Sequence, residues 1–176
     1  MTHAAGIITV PIILFAERTA ATIMLGGIVL TLIAMSFYRA NHRFQNEWLE
    51  KFVLARERSG AFPLGGAVFF FLGVFCAFLL YQPLYAAAAA AVLALGDSTS
   101  TIIGKKYGKH KLPLNGGKSW EGSAAFLLFS FVALLFFVSP QKALAVAFLT
   151  MLVEMLPRLD DNFTVPIAAG LFLTLL

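Results

Sequence analysis

The sequence predicts an all-α, polytopic membrane protein, and its composition is the first reason. Apolar residues make up 60% of the 176 residues and charged residues only 12%. Soluble domains contain about 45–50% apolar and about 25% charged residues, and small ones bury only about 60–70% of their unfolded surface. This composition excludes an ordinary soluble enzyme and a disordered chain, and the single cysteine excludes a disulfide-rich secreted module.

The second reason is that the apolar residues fall into runs of membrane-segment type. We expect six to seven transmembrane helices in a single integral membrane domain, residues 1–176. The shorter runs suggest helices that tilt or are half-buried around a cavity. We interpret the first run as a membrane segment, not a cleaved signal peptide, because no basic region precedes it. The runs cover residues 4–16, 19–38, 62–80, 84–95, 122–138, 141–153 and 164–176.

The third reason is the distribution of charge between the runs. If every run crosses the membrane, 11 of the 13 basic and eight of the nine acidic residues share one face. Excess lysine and arginine marks the cytoplasmic side, so the N-terminus and the active site are predicted to face the cytoplasm, in the cell membrane or an endoplasmic-reticulum-like membrane. The net charge of +4 is therefore explained by topology and does not indicate a nucleic-acid partner.

The most informative polar stretch begins at Asp97, directly after an apolar run. A carboxylate at a membrane boundary is costly and is by default a functional candidate. Small residues let a backbone or a phosphate approach closely. One helical face then carries Asp97, Ser100 or Thr101, Gly104 and Gly108.

A glycine turn and a lysine follow, immediately before the next apolar run. Gly116-Gly117 precede Lys118, and Ser119 is a plausible helix N-cap. A glycine turn, a lysine and a helix N-terminus together suit phosphate oxygens. Glu121, in the first turn, is expected to hold a metal ion or to orient Lys118.

The lysines between these two features have two interpretations. They either steer a nucleotide or simply follow the positive-inside rule of a cytoplasmic loop. His110 is interpreted as a solvated loop residue, because no second histidine lies at metal-ligand spacing. These lysines are Lys105, Lys106, Lys109 and Lys111.

A second cluster of acidic and amide side chains lies near the C-terminus. Glu154 ends one apolar run, and Asp160, Asp161 and Asn162 precede the next. A helix cap needs only one of these residues. Carboxylates from several loops suit Mg²⁺, which also takes phosphate oxygens and water.

Two weaker candidates lie outside these clusters. Arg56 and Glu57 either reach the same site or belong to a membrane-surface helix within 39–58. His3 is equally ambiguous, because chain termini are often disordered.

The segments GDSTSTIIGKKYGKHK, GGKSWEGS and VEMLPRLDDNFTVP resemble the dolichol kinase and phytol kinase family of CTP-dependent lipid kinases. That family is related to the CDP-diacylglycerol synthase superfamily. The resemblance implies a polytopic enzyme that phosphorylates an isoprenoid alcohol, or in some branches diacylglycerol. The longer C-terminal signature of the synthases (Lys-Asp, Pro-Gly-His-Gly-Gly and a final Asp-Arg) is absent. This favours phosphoryl transfer over cytidylyl transfer.

On this basis we expect Mg²⁺-dependent transfer of the γ-phosphate of CTP, or another nucleotide, to a polyprenol-, dolichol- or geranylgeraniol-type alcohol. The roles of Asp160 and Asp161, as second metal ligand or base, stay open. The expected catalytic residues are Asp97, Lys118, Glu121 and Asp161. The expected metal ligands are Asp97, Glu121, Asp160 and Asp161. The expected nucleotide-binding residues are Gly104, Lys105, Lys106, Gly108, Lys109, Gly117, Lys118 and Ser119. Further candidates are Glu154, Asn162, Arg56, Glu57 and His3.

Two other functions remain as alternatives. One is a cytidylyltransferase that makes a CDP-activated lipid from a lipid phosphate. The other is a carrier or structural membrane protein, which predicts charges buried within the spans. The expected partners are the lipid alcohol, the nucleotide and the bilayer, and an oligomer is left open because Gly26-Gly27 and Gly65-Gly66 suit packing within or between chains.

Overall fold

The computed structural model describes residues 3–42, 63–113, 115–157 and 160–176, with the side chains of residues 3–5 excepted. Regular structure in these ranges is helical, and their only β-type pairing is an isolated bridge between Lys111 and Ser119. The all-α prediction is confirmed.

Each predicted apolar run corresponds to one helical segment of the described chain. A 3₁₀ segment, His3–Ile8, leads into the first α-helix. The helices are α1 (Thr9–Phe15), α2 (Arg18–Asn41), α3 (Gly65–Leu80), α4 (Pro83–Tyr107), α5 (Trp120–Leu134), α6 (Pro140–Glu154) and α7 (Asp161–Leu175).

The helix starts follow from local sequence chemistry. Pro83 and Pro140 occupy the first turns of α4 and α6, where a missing N–H costs nothing. The Ser119 hydroxyl accepts the Gly122 N–H at 3.2 Å and so caps α5. The Asp160 carboxylate caps α7 by accepting the Asn162 N–H at 3.0 Å. Both caps satisfy backbone groups that a helix start leaves unpaired.

Helix α4 is the central helix of the bundle. Its alanines at positions 86–91 are all buried, so close neighbours surround it on every side. The 3₁₀ segment, α1, α3, α5 and α7 all contact it. Residues Val92–Asp97 form a π-helical turn, a feature that often marks functional sites, and Asp97 lies at its end.

Helix α4 continues well past the predicted run that ends at residue 95. Gly96 lies inside the helix, where a Cβ would come within 2.3 Å of the Ser130 Oγ on α5. The glycine therefore permits close helix packing. The polar turns beyond it pack against α5, which contacts Ser98–Tyr107.

The start of α7 is fixed against α3. A Cβ on Gly73 would lie 2.4 Å from the Asn162 carbonyl oxygen, so only glycine allows this approach. The Tyr81 hydroxyl, just after α3, donates to the Ile167 carbonyl oxygen at 2.9 Å. These contacts set the position of the first turn of α7, which carries Asp161.

Two of the described helices, α2 and α4, are long and apolar enough to cross a membrane by length and composition. Others, including α3, α5 and α7, are apolar but shorter. Large apolar side chains such as Phe15 and Phe136 are more than four-fifths exposed, which agrees with a lipid-facing exterior. The seven-span arrangement and its orientation stay predictions.

Among the described residues, Lys142 and Asp97 lie at opposite ends of the bundle. Lys142 donates to the Tyr85 hydroxyl at 3.1 Å at the start of α4. Asp97 lies farther along the same helix, about 18 Å away at about 1.5 Å per residue. The two predicted clusters therefore share the other end of the bundle.

Candidate active site

A cleft opens where α4 ends, α5 begins, α6 ends and α7 begins. Its volume is about 390 Å³, and the residues that line it are charged, hydroxyl-bearing or glycine. It brings together four segments that are far apart in sequence. The lining residues are Asp97, Ser100, Thr101, Gly104, Lys105, Gly108, Lys111, Gly117, Lys118, Ser119, Gly122, Glu154 and Asp161.

Lys118 is the centre of the cleft's charge network. Its ammonium nitrogen lies 2.9 Å from Oε1 of Glu154 and 2.7 Å from Oδ2 of Asp161. It also donates to the Glu154 carbonyl oxygen. Three acceptors thus meet the three N–H groups of the ammonium, so Lys118 joins the end of α6 to the start of α7.

Glu154 is a buried carboxylate with hydrogen-bond donors to both of its oxygens. Its side chain is 2% exposed. Ser100 donates to Oε1 at 3.1 Å and Ser123 to Oε2 at 3.2 Å. A buried charge is tolerated when it is paired and hydrogen-bonded, and Lys118 with the two serines meets both conditions.

Close packing of α4 against α5 brings these serines to Glu154. A Cβ on Gly122 would lie 3.1 Å from the Ser100 carbonyl oxygen and 3.3 Å from Cα of Gly104. A Cβ on Gly108 would lie 2.5 Å from Oγ of Ser119, the residue that caps α5. Glycine at these positions lets the two backbones form the cleft floor without side chains filling it.

Asp160 and Asp161 are adjacent in sequence but have different surroundings. Asp160 is exposed and caps α7, whereas Asp161 lines the cleft. Oδ1 of Asp161 is buried and has no hydrogen-bond partner among the described residues. Burial raises the pKa of Asp161 to about 6, although Lys118 acts in the opposite direction. The nearby negative charges of Glu154 and Asp97 raise it further.

Glu121 is not among the cleft-lining residues, and its carboxylate has other partners. Its Oε1 lies 2.7 Å from Nδ1 of His110. The carboxylate also accepts the backbone N–H groups of Lys109 and His110, each at 3.2 Å. Its own backbone N–H and the His110 side chain are the main causes that lower the pKa of Glu121 to about 2. The metal-binding role expected for Glu121 stays a prediction.

The structure brings together most of the predicted site residues. Those that line the cleft are Asp97, Gly104, Lys105, Gly108, Gly117, Lys118, Ser119, Glu154 and Asp161. Lys106, Lys109, Glu121, Asp160 and Asn162 are not among the lining residues.

The structure describes the remaining predicted residues to different extents. The Lys106 ammonium lies 5.1 Å from the centre of the Tyr107 ring. Oδ1 of Asn162 is buried without a partner among the described residues. The backbone of His3–Ile8 runs beside Val92–Asp97, which places His3 near this end of the bundle. Arg56 and Glu57 lie outside the described residues.

Two residues of this arrangement, Gly122 and Ser123, were not selected from the sequence, although both carried a usable signal. Gly122 and Ser123 follow the cap Ser119 by three and four positions, so they share its helical face. Lys111 was one of the four lysines with two interpretations and was not included in the expected nucleotide-binding set. It reaches the cleft through pairing with Ser119, which the sequence does not reveal.

Mg²⁺ is the metal that the sequence led us to expect. No group of three histidine, cysteine or acidic side chains in the described parts of the chain is close enough to hold a metal ion. Mg²⁺ bound with phosphates typically needs only one or two carboxylates, with water completing its shell. The unpartnered Oδ1 of Asp161, in a cleft that Asp97 also lines, fits such a shared site.

Comparison with known proteins gives partial similarity to phytol kinases. Phytol kinase 1 of Arabidopsis thaliana is 35% identical over 96 residues, covering 44% of this chain and 32% of the relative. A phytol kinase of Synechocystis is 31% identical over 105 residues, covering 53% of this chain and 45% of the relative. The chain thus aligns with about a third to a half of the length of these relatives.

A third relative is similar over almost the whole length. It is an uncharacterised protein of Rickettsia prowazekii, 25% identical over 187 residues, covering 98% of this chain and 90% of the relative. No protein-family model matches the chain, and no solved structure matches it.

Proposed function

We propose that this protein is a membrane-embedded kinase that transfers a phosphoryl group from a nucleoside triphosphate to an isoprenoid alcohol. The observation that carries the proposal is Lys118 held between Glu154 and Asp161 in a glycine-floored cleft. The cleft lies at the charged end of an apolar helical bundle. A water-soluble nucleotide and a lipid hydroxyl can meet at such a place.

The proposed reaction has one bond-forming and one bond-breaking event. The alcohol oxygen bonds to the γ-phosphorus, and the bond from that phosphorus to the β,γ-bridging oxygen breaks. The products are a lipid monophosphate and a nucleoside diphosphate. Positioning and charge stabilisation provide most of the catalysis in such transfers.

We assign Asp161 as the acceptor of the alcohol's proton. It is the member of the Asp160–Asp161 pair that faces the cleft, and Asp160 is engaged in capping α7. A pKa raised to about 6 suits a base that works near neutral pH. Lys118, next to it, balances the charge that develops on the phosphates.

Of the two cleft carboxylates that fit a metal site, Asp97 would hold Mg²⁺ together with the nucleotide's phosphates, which leaves Oδ1 of Asp161 for the alcohol's proton. When bound, Mg²⁺ would supply positive charge that neutralises the phosphate oxygens. Lys105 and the backbone at Gly104, Gly108 and Gly117 would then contact the polyphosphate from the cleft wall.

The substrate and donor are proposed from the relatives and the sequence resemblance. The names of the Arabidopsis and Synechocystis relatives indicate phytol, an isoprenoid alcohol, as the acceptor of those enzymes. We propose an acceptor of the same chemical class for this protein and CTP as the preferred donor. We also propose that the cleft faces the cytoplasm, in line with the positive-inside prediction.

The test is a matrix of nucleotides against alcohols with the purified protein in detergent, with products identified by mass. We expect lipid monophosphate and CDP, with phytol or another prenol as acceptor. Asp161→Asn should lower the rate by about 10²–10⁴-fold. Glu17→Gln is the matched control, because Glu17 precedes α2 at the other end of the bundle. Formation of a CDP-lipid with release of diphosphate would overturn the proposal in favour of a cytidylyltransferase.

A further inference from the structure

Lys111 lies on a short antiparallel pairing beside the cleft. The backbone of Lys111 pairs with that of Ser119 in the isolated bridge. The Leu112 N–H donates to the Lys118 carbonyl oxygen at 3.1 Å, and the Trp120 N–H donates to the His110 carbonyl oxygen at 3.0 Å. Directly opposed residues in such a pairing present their side chains on one face. Lys111 therefore accompanies Ser119 on the cleft wall.

The start of this pairing is held by Glu121. The carboxylate binds the side chain of His110 and the backbone N–H groups of Lys109 and His110. All of these contacts fall one or two residues before Lys111. Because Glu121 is in the first turn of α5, they attach the segment before Lys111 to the same helix that Ser119 caps.

Lys111 differs from Lys118 in how its ammonium is engaged. The three donors of Lys118 already have three acceptors within the protein. Within the described residues, Lys111 has no carboxylate at ion-pair distance. Lys111 can therefore bind an incoming polyphosphate without first breaking an ion pair to a described carboxylate.

We propose that Lys111 binds the phosphates of the nucleotide and that Glu121 is a positioning residue that acts through His110 to hold Lys111 on the cleft wall. This inference rests on the proposed nucleotide-dependent function and adds a binding residue to it. It gives Glu121 a role through hydrogen bonds to a neighbouring segment, without contact to a metal ion.

The experiment is a titration of the purified full-length protein with CTP and, separately, ATP, at saturating Mg²⁺. Lys111→Ala should weaken binding at least tenfold. Lys142→Ala is the matched lysine control, because Lys142 contacts Tyr85 at the opposite end of the bundle, and it should bind as the unmodified protein does. Equal affinity of Lys111→Ala and the unmodified protein would overturn the inference.

A double-variant comparison tests the positioning role separately. Glu121→Gln should weaken nucleotide binding when Lys111 is present and have little further effect in the Lys111→Ala background. It should also leave the Mg²⁺ concentration needed for half-maximal binding unchanged. Additive losses, or a raised Mg²⁺ requirement, would instead show that Glu121 acts independently of Lys111.

These outcomes separate the inference from the proposed function. If the unmodified protein binds nucleotide and Lys111→Ala does not, yet no alcohol is phosphorylated, Lys111 stands and the kinase proposal falls. If alcohol is phosphorylated and Lys111→Ala binds nucleotide normally, the kinase proposal stands and the role of Lys111 falls.

Discussion

The ammonium of Lys118 lies 2.9 Å from Oε1 of Glu154, and this contact joins two segments separated by most of α5 and α6. Glu154 is almost fully buried, whereas Lys118 keeps about a fifth of its side-chain surface exposed. The pair thus has one end within the bundle and one end in the cleft. Its integrity is expected to control both folding and ligand binding.

Removing the cation should destabilise the fold strongly. Lys118→Met leaves the buried Glu154 carboxylate without its positive partner, which typically costs about 3–5 kcal/mol. Adding Glu154→Gln removes the uncompensated charge, so the double variant should lose less than the sum of the two single losses. Thermal or denaturant unfolding in detergent measures the difference, and strictly additive losses would show that the two charges do not depend on each other.

The serine donors to Glu154 provide a second test. Ser123→Ala removes the donor to Oε2 and should cost about 1–3 kcal/mol, because a buried acceptor loses its partner. Ser130→Ala is the matched control on the same helix. The Ser130 hydroxyl is buried and has no hydrogen-bond partner among the described residues, so its removal should change stability little. Equal losses for both variants would contradict the predicted role of Ser123.

The contact between α3 and α7 should be intolerant of a single methyl group. In Gly73→Ala the new Cβ would meet the Asn162 carbonyl oxygen at 2.4 Å, and overpacking of this kind costs about 1–3 kcal/mol. The shift would also displace the first turn of α7, so transfer activity should fall with stability.

Gly27→Ala is the control for this substitution. Gly27 lies within α2, and a Cβ there meets nothing within 4 Å among the described residues. Alanine favours a helix interior over glycine by up to about 1 kcal/mol, so Gly27→Ala should be neutral or stabilising. A destabilised Gly27→Ala together with a tolerated Gly73→Ala would show that the packing assignment is wrong.

The Glu121–His110 contact predicts a dependence of stability on pH. The pKa of Glu121 is lowered from 4.5 to about 2, so the folded state favours the ionised carboxylate. A depressed pKa contributes stability that is present above about pH 4.5 and is lost as the pH falls toward about 2. The midpoint of unfolding of the unmodified protein should exceed that of Glu121→Gln at pH 7.

That difference should shrink as the pH falls below 4.5, since protonation then removes the charge that glutamine lacks. Unfolding curves of both proteins at pH 7, 5, 4 and 3 measure it. A difference that is constant over this range would mean that ionisation of Glu121 contributes nothing to the fold.

Much of the fold was predictable because helix formation in this chain depends on local signals. Apolar runs of helix length, prolines in first turns and capping residues such as Ser119 are visible along the chain, and each run became a helix. Asp97 was selected because a carboxylate directly beside an apolar run is expensive. Lys118 was selected because it follows a glycine turn before a helix start, and Asp161 because its cluster exceeds what a helix cap needs; all three line the cleft.

The pairing of these residues was not predictable, because it depends on contacts between distant segments. In the sequence, Glu121 and Asp160 cannot be distinguished from the other acidic candidates. In the structure, Glu121 attaches the segment before Lys111 to α5, and Asp160 caps α7. Lys111 is indistinguishable from Lys106 in sequence, and only the pairing with Ser119 places it on the cleft wall.

By itself the sequence determined an all-helical chain with an apolar body and a concentrated set of charged and glycine residues, because composition and periodicity fix those properties locally. The tertiary structure decided which charges meet. The packing of Gly104 against Gly122 and of Gly73 against the start of α7 brings Ser100, Ser123, Glu154 and Asp161 around Lys118. Such close approaches depend on complementary helix surfaces, which no single segment encodes.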